Sequence, residues 1–228
     1  MDVAITTNSD CFFPFADLLS SVMKCFSRDP YVRENALVGT HRPIPFLMPG
    51  DVLPTLVPAS GVHPFKGLAK YAAPLSLVYS SEADAYFALR HMYTRLWCRL
   101  NTVDAEEGNL AHLCKTYEDV LFSQHPTLFL HLIALGVPPL SIAFPWIHLA
   151  FVGYLPVTEV LSLWDRLLAR SSLLLLPLTA AAIVLFRSEV LLACRTGEEA
   201  REVFGEGQLN RIKVVPLLQS LLFLEEFK

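Results

Sequence analysis

Charge is what this chain has least of. Only 18% of its 228 residues are Asp, Glu, Lys or Arg, against a hydrophobic fraction of 53%. Residues 120–158 contain no charged side chain at all. With so much apolar surface, disorder is not expected over most of the chain. The formal net charge of −4 gives no phosphate-tracking basic surface, so no nucleic-acid partner is expected. The five cysteines (Cys11, Cys25, Cys98, Cys114, Cys194) include no CxxC pair. Zinc-site and thioredoxin chemistry therefore have no signal, and the thiols read as free ones in a reducing compartment. No GxSxG, HExxH, P-loop or GxGxxG sequence occurs, so neither a metal nor a cofactor is expected. The start, MDVAITTNSD, lacks the basic and then apolar regions of a signal peptide.

Long uninterrupted apolar helices are lacking too. Pro126, Gly136, Pro138, Pro139, Pro145, Gly153 and Pro156 divide the charge-free stretch, and His125, His131 and His148 lie inside it. No run of about 20 apolar residues fits between these breaks. Residues 171–186 are uncharged but short for a span, and Pro177 sits among them. The expectation is no transmembrane span and a cytoplasmic protein, at most peripheral on endomembranes.

What is present is helical periodicity. Phe15, Leu18, Leu19, Val22 and Phe26 recur on one face after Pro14, and Arg28, Asp29 and Pro30 end that helix. Residues 31–63 carry Pro43, Pro45, Pro49, Pro54 and Pro58 and read as one long irregular segment. A short helix is expected from Gly67 to Tyr79. Ser81 to Asp84 has the form of a capping box opening an amphipathic helix with Leu89, Met92, Leu96 and Leu100 on one face. Arg90, Arg95 and Arg99 fall off that face and read as its solvated side. Further helices are expected over residues 104–124, 126–135 and 145–155, then from a Thr158 cap through Arg170, over 173–194, and over 212–227. Residues 197–207 read as a short exposed helix or loop. The fold class is all-α, about nine helices, with no convincing strand and no fixed repeat.

Few side chains suggest chemistry. Cys114 lies two residues from His112, a spacing that points the two apart on a helix. Asp165 is a lone carboxylate on a largely apolar helix, expected to accept a hydrogen bond from a neighbouring helix end.

Three stretches carry a resemblance. HPTLFLHL at 125–132, FPWIHLAFVGYLP at 144–156 and LSLWDRLLARSSLLLLPLTAAAIVLF at 161–186 resemble, in order and spacing, the second half of the TBC domain of Rab GTPase-activating proteins. VMKCFSRD at 22–29, GVHPFKG at 61–67, YAAPLSLVY at 71–79 and KVVPLLQSLLF at 213–223 extend it over nearly the whole chain. The resemblance implies a partial TBC domain over residues 1–228, with the family's first helices upstream of Met1. It implies a Rab-family small GTPase as partner.

In that family an Arg in IxxDxxR and a Gln in YxQG are supplied in trans to the GTPase. The first neutralises charge on the transferring phosphoryl group and the second positions water. A trans arginine is worth about 10³–10⁵ in rate. Carried over by position, Asp2 matches the Asp of the first motif and Ile5 takes the Arg position. Pro64, Phe65, Lys66 and Gly67 take the positions of YxQG, so Lys66 stands where the Gln would be. Asp2, Lys66 and Gly67 are the implied GTPase-facing residues, and no catalytic finger remains. Ile5 offers neither charge nor hydrogen bond. Lys66 offers charge but not the paired donor and acceptor of an amide. The implied function is a GTPase-binding or scaffolding regulator of vesicle trafficking. The alternatives are an active GTPase-activating protein using other residues and a membrane-associated helical protein. Apolar surface left uncovered implies self-association or a protein partner.

Overall fold

Asp29 and Pro30 show how this chain turns. Pro30 excludes the helical conformation from the residue before it, and Asp29 is extended at ψ 109°. One helix therefore ends there, and Pro30 starts the next in the first-turn position where its missing N–H costs nothing. The computed structural model describes residues 2–7, 12–36, 58–62, 64–102, 106–205 and 207–225. It divides the chain into two compact units, residues 1–99 and 100–228.

The first unit contains α1 (Asp2–Thr6), a 3-10 turn at Phe13–Phe15, α2 (Ala16–Arg28) and α3 (Pro30–Asn35). Two more 3-10 turns, Leu68–Tyr71 and Ala73–Leu77, lead to α4 (Glu82–Met92), which runs through a π turn at Tyr93–Trp97 into α5 (Cys98–Leu100). Leu19, Val22 and Phe26 are the buried stripe of α2, which packs on α4. The Phe26 ring meets Tyr93 edge-on at 4.9 Å, and Tyr71 stacks on Trp97 at 5.6 Å. Aromatic pairs of this kind add about 0.5–1.5 kcal/mol beyond the area they bury.

Ser81 caps α4 by accepting from the Asp84 N–H, as the sequence suggests. Leu89, Met92, Leu96 and Leu100 are all buried. Three expectations change. The helix expected from Gly67 to Tyr79 is instead the pair of 3-10 turns, Leu68–Tyr71 and Ala73–Leu77. Residues 30–35 are helical, inside the stretch read as irregular, because Asp29 supplies a cap and Pro30 a start. Residues 37–57 and 63 of that stretch lie outside the described residues. Arg90 is not a solvated charge. Its guanidinium lies 3.5 Å from the Asp29 carboxylate and 4.3 Å from the Tyr31 ring centre, with Phe87 on it at 4.8 Å.

In the second unit the described helices are α6 (Leu110–Gln124), α7 (Pro126–Ala134), α8 (Pro139–His148), α9 (Val157–Arg170), α10 (Leu175–Phe186), α11 (Ser188–Ala193), α12 (Gly197–Glu202) and α13 (Val214–Glu225). α10 is the central one, packed against α6, α8, α13, α9 and α11. It is apolar nearly all round because it is surrounded nearly all round. Its one buried hydroxyl, Thr179, donates to the Leu175 carbonyl one turn back at 2.6 Å. Trp146 and Trp164 are both buried. Trp164 of α9 donates its indole N–H to the Ala150 carbonyl at 3.1 Å, and Trp146 packs edge-on against Phe204 at 5.3 Å. Ala150 and Phe151 have φ of 46° and 66°. Such strain persists in side-chain-bearing residues only where the surroundings over-determine it; here the Phe151 N–H returns to the Trp146 carbonyl at 2.8 Å and the tryptophan holds Ala150.

Several boundaries differ from the sequence expectation. α6 begins at Leu110 rather than near Asp104, with Glu106 and Glu107 preceding it. The helix expected over 145–155 is instead α8, which begins at Pro139 and holds Pro145 inside it. α9 begins at Val157 behind Pro156, so Thr158 is not its cap. Residues 173–194 form two helices, α10 and α11. Asp165 is exposed and is not the carboxylate that holds a neighbouring helix end. Glu159 does that: it accepts from the Val214 N–H at 3.0 Å and from Lys213 at 2.9 Å, at the start of α13. Lys213 is 68% exposed, so the ion pair adds little, and the weight falls on the buried amide.

Among the described residues the only strand-like pairing is an isolated bridge between Val152 and Leu155. No single helix among them is long and apolar enough to cross a membrane; α7 and α8 reach that length only as a pair bent by 102°.

The Asp29 cluster yields a pH test. Burial pushes its carboxyl up, but hydrogen bonds from Tyr86, the Tyr31 backbone and Arg90 outweigh that and hold it below 3.8. A depressed carboxyl stabilises the fold fully above its unfolded pKa, and the stabilisation fades as pH falls through the folded value. Asp29→Ala is expected to lower the unfolding free energy by about 1–3 kcal/mol near neutral pH. The gap from the wild type narrows below pH 3.8. Urea unfolding of both proteins across that range checks it; a gap independent of pH would contradict the ionised cluster.

Candidate functional site

The first helix of the chain and the turn at residues 64–71 are joined by one side chain. Asp2, at the start of α1, accepts from the Gly67 N–H through Oδ1 at 2.6 Å and from the Ala69 N–H through Oδ2 at 2.5 Å. Both oxygens of a single carboxylate are thus committed to backbone donors two residues apart. Gly67 has φ +106°, where a Cβ is strongly disfavoured, so the turn's sharpness depends on this glycine. The Lys70 N–H returns to the Gly67 carbonyl at 3.0 Å, and Leu68 to Phe65 at 3.2 Å. Phe65 leans edge-on against Tyr71 at 6.3 Å, anchoring the approach to the turn on the core. Lys66 is exposed at its tip, and Gly67 is buried behind it.

Three charges share this place: Asp2, Lys66 and Lys70. Burial pushes the Lys70 ammonium down, Asp2 opposes that, and Lys66 adds to it. Lys66 forms no ion pair among the described residues. The arrangement can present a positive charge to an anion. Among the described residues it holds no general base or nucleophile positioned by a third group, the feature that a hydrolytic site needs.

Of the residues singled out in the sequence, Asp2, Lys66 and Gly67 come together at this turn. Ile5 lies on the same short helix as Asp2. Lys70 and Ala69 were missed; the signal for Lys70 was its fourth-residue spacing from Lys66 across the glycine. His112 and Cys114 are not paired. The His112 Nδ1 accepts from the Gly108 N–H at 3.2 Å, while Cys114 is buried and its thiol is pushed up by burial and by Glu118. A raised thiol is an unactivated one. Among the described residues no group of three His, Cys, Asp or Glu could hold a metal.

This all-helical fold with a carboxylate-held turn has relatives. The model of the Rab-GTPase-TBC domain family matches residues 61–192, which includes Lys66 and Gly67 but not Asp2 or Ile5. The chain belongs to the Rab-GTPase-TBC domain family. It is 36% identical to human TBC1 domain family member 19, over 97% of this chain and 43% of that protein. It is 24% identical to the TBC domain-containing protein kinase-like protein of Dictyostelium discoideum, over 56% of this chain and 12% of that protein. The chain therefore spans less than half the length of either relative.

Replacing Asp2 tests the turn. Asp2→Ala leaves the Gly67 and Ala69 N–H groups without their acceptor, at a cost of about 1–3 kcal/mol. Hydrogen exchange at those two amides is expected to accelerate markedly while exchange in α10 stays unchanged. Unaltered exchange at Gly67 and Ala69 would show that the carboxylate does not hold them.

Proposed function

We propose that this protein binds a Rab-family small GTPase through the turn at Asp2, Lys66 and Gly67 and acts as a binding or scaffolding regulator of vesicle trafficking without dual-finger catalysis. Family membership supports the GTPase as partner. The observation that carries the rest is chemical: an ammonium, Lys66, stands at the exposed tip where catalysis by an amide would need a donor and an acceptor together. Ile5 brings no charge from the neighbouring helix. We take the family domain to extend over residues 1–228.

Single-turnover GTP hydrolysis by a panel of Rab proteins tests this. The expected outcome is no acceleration by the folded chain, against the roughly 10³–10⁵-fold that a trans arginine supplies. Robust acceleration that disappears in Lys66→Ala would replace this function with that of an active GTPase-activating protein.

The same proposal includes self-association or a protein partner covering apolar side chains left in solvent. Its support is exposed apolar side chains on α6 and α7: Phe122 is 49% exposed, Leu130 59% and Ile133 46%. Phe122 and Phe129 meet edge-on at 5.4 Å, so the two helices share this face. Sedimentation velocity is expected to show dimers or larger species that dissociate in Leu130→Glu. A wild-type chain that stays monomeric at tens of micromolar and binds no partner through this face would remove it.

A further inference from the structure

Arg90 packs against two aromatic rings that the fold leaves in solvent. Its guanidinium is 4.3 Å from the centre of the Tyr31 ring on α3 and 4.8 Å from that of Phe87 on α4. Tyr31 is 38% exposed and Phe87 51%. Tyr86 tilts against Phe87 at 5.4 Å. The Asp29 carboxylate that pairs with Arg90 also accepts from the Tyr86 hydroxyl and from the Tyr31 N–H. One carboxylate therefore ties down the start of α3, Tyr86 and Arg90 together, and the two exposed rings lie on a fixed guanidinium. Aromatic rings with an arginine are the composition of an interface centre rather than of ordinary surface. The ledge is also preorganised, so docking on it requires little further ordering.

The charge beside the ledge is of one sign. Residues 85–99 contain Arg90, His91, Arg95 and Arg99 and no Asp or Glu. The acids of α4, Glu82 and Asp84, are confined to its first turn. His91 is exposed one turn on from Phe87, so the two share a face. Arg95 is exposed on the π turn that follows. The Thr94 hydroxyl fixes that turn from within by donating to the Arg90 carbonyl at 3.0 Å. Asp29 answers Arg90, and Arg33 and Glu34 of α3 offset one another, so the excess charge is positive at the Arg95 end.

We propose that Tyr31, Phe87, His91 and Arg95 form a docking surface for an acidic peptide segment of another protein. One apolar side chain of that segment seats on the Phe87 and Tyr31 rings, and its carboxylates turn towards Arg95. The surface uses none of the residues of the turn at Asp2, Lys66 and Gly67. Phe87 contributes the apolar area that the anchor buries, and Arg95 contributes steering and register through charge. A nucleic acid fits less well, because the cations are few and the net charge of the chain is −4.

The test is fluorescence anisotropy of the full chain with a labelled peptide of alternating Glu and Gly around one central Trp, beside a matched peptide with Gln for every Glu. The glutamate peptide is expected to bind about tenfold more tightly than the glutamine one. Phe87→Ala and Arg95→Glu are each expected to weaken it by about tenfold, and added salt weakens it further. Both side chains are exposed, so each variant should melt close to the wild type; if Phe87→Ala melts early, Arg95→Glu decides alone. No binding of the glutamate peptide up to about 1 mM would overturn the proposal. Equal binding of the two peptides, or affinity that survives Arg95→Glu, would do the same. A single-stranded oligonucleotide of matched charge binding as tightly would make this a general polyanion surface and would also remove the proposal.

Discussion

Carboxylates holding backbone amides tie this protein together. Where a helix or turn begins, N–H groups face outward with no partner in the helix itself. In a chain this poor in charge, a few acidic side chains meet that demand. Asp2 takes Gly67 and Ala69, Asp29 takes Tyr31, Glu159 takes Val214, and Glu199 takes Arg195 and Thr196 while the Thr196 hydroxyl returns the bond to the Glu199 N–H. Two of these, Asp2 and Glu159, reach far along the sequence. They fix where a distant segment starts, which apolar contact alone does not specify. Apolar packing is non-directional; a carboxylate with two amides is not.

That use of the acidic groups has a consequence for the basic ones. Arg90 is taken up by Asp29 and by the Tyr31 and Phe87 rings, and Lys213 by Glu159. At the turn after Phe65, Asp2 is already committed to amides, and Lys66 pairs with no carboxylate among the described residues. The aspartate shapes the turn, and the lysine at its tip is the group still available to another molecule. The only thiol near a histidine in sequence, Cys114, is buried and raised.

The all-helical architecture was legible because its signals are local. The α2 stripe, the Asp29–Pro30 boundary, the Ser81 cap and the buried character of α10 each follow from spacing or side-chain type. The family likeness was legible from the order of its motifs. Boundaries failed where one local signal has two meanings. Pro138 and Pro139 read as an end but also supply the start of α8, since proline is at home in a first turn. Pro145 read as a start and lies inside. Glu106 and Glu107 imitate the acidic beginning that a helix dipole favours, yet α6 starts later, at Leu110. The choice between Asp165 and Glu159 depended on which one meets α13, a contact no periodicity encodes.

The candidate site was legible in part for the same reason. Position within a motif identified Asp2, Lys66 and Gly67, and the fold brings these three together. Motif position says nothing about what Asp2 does, and in the structure both its carboxylate oxygens are committed to the Gly67 and Ala69 amides. It is the brace of the turn. Lys70 lies beyond the motif, four residues on from Lys66, and the structure shows the Lys66 charge acting on it. Replacing a neutral amide by an ammonium at such a tip therefore changes more than one group's chemistry. It adds charge to a place where a second ammonium is already partly desolvated and where the local carboxylate cannot move to compensate. An anion arriving there relieves the repulsion that Lys66 adds at Lys70.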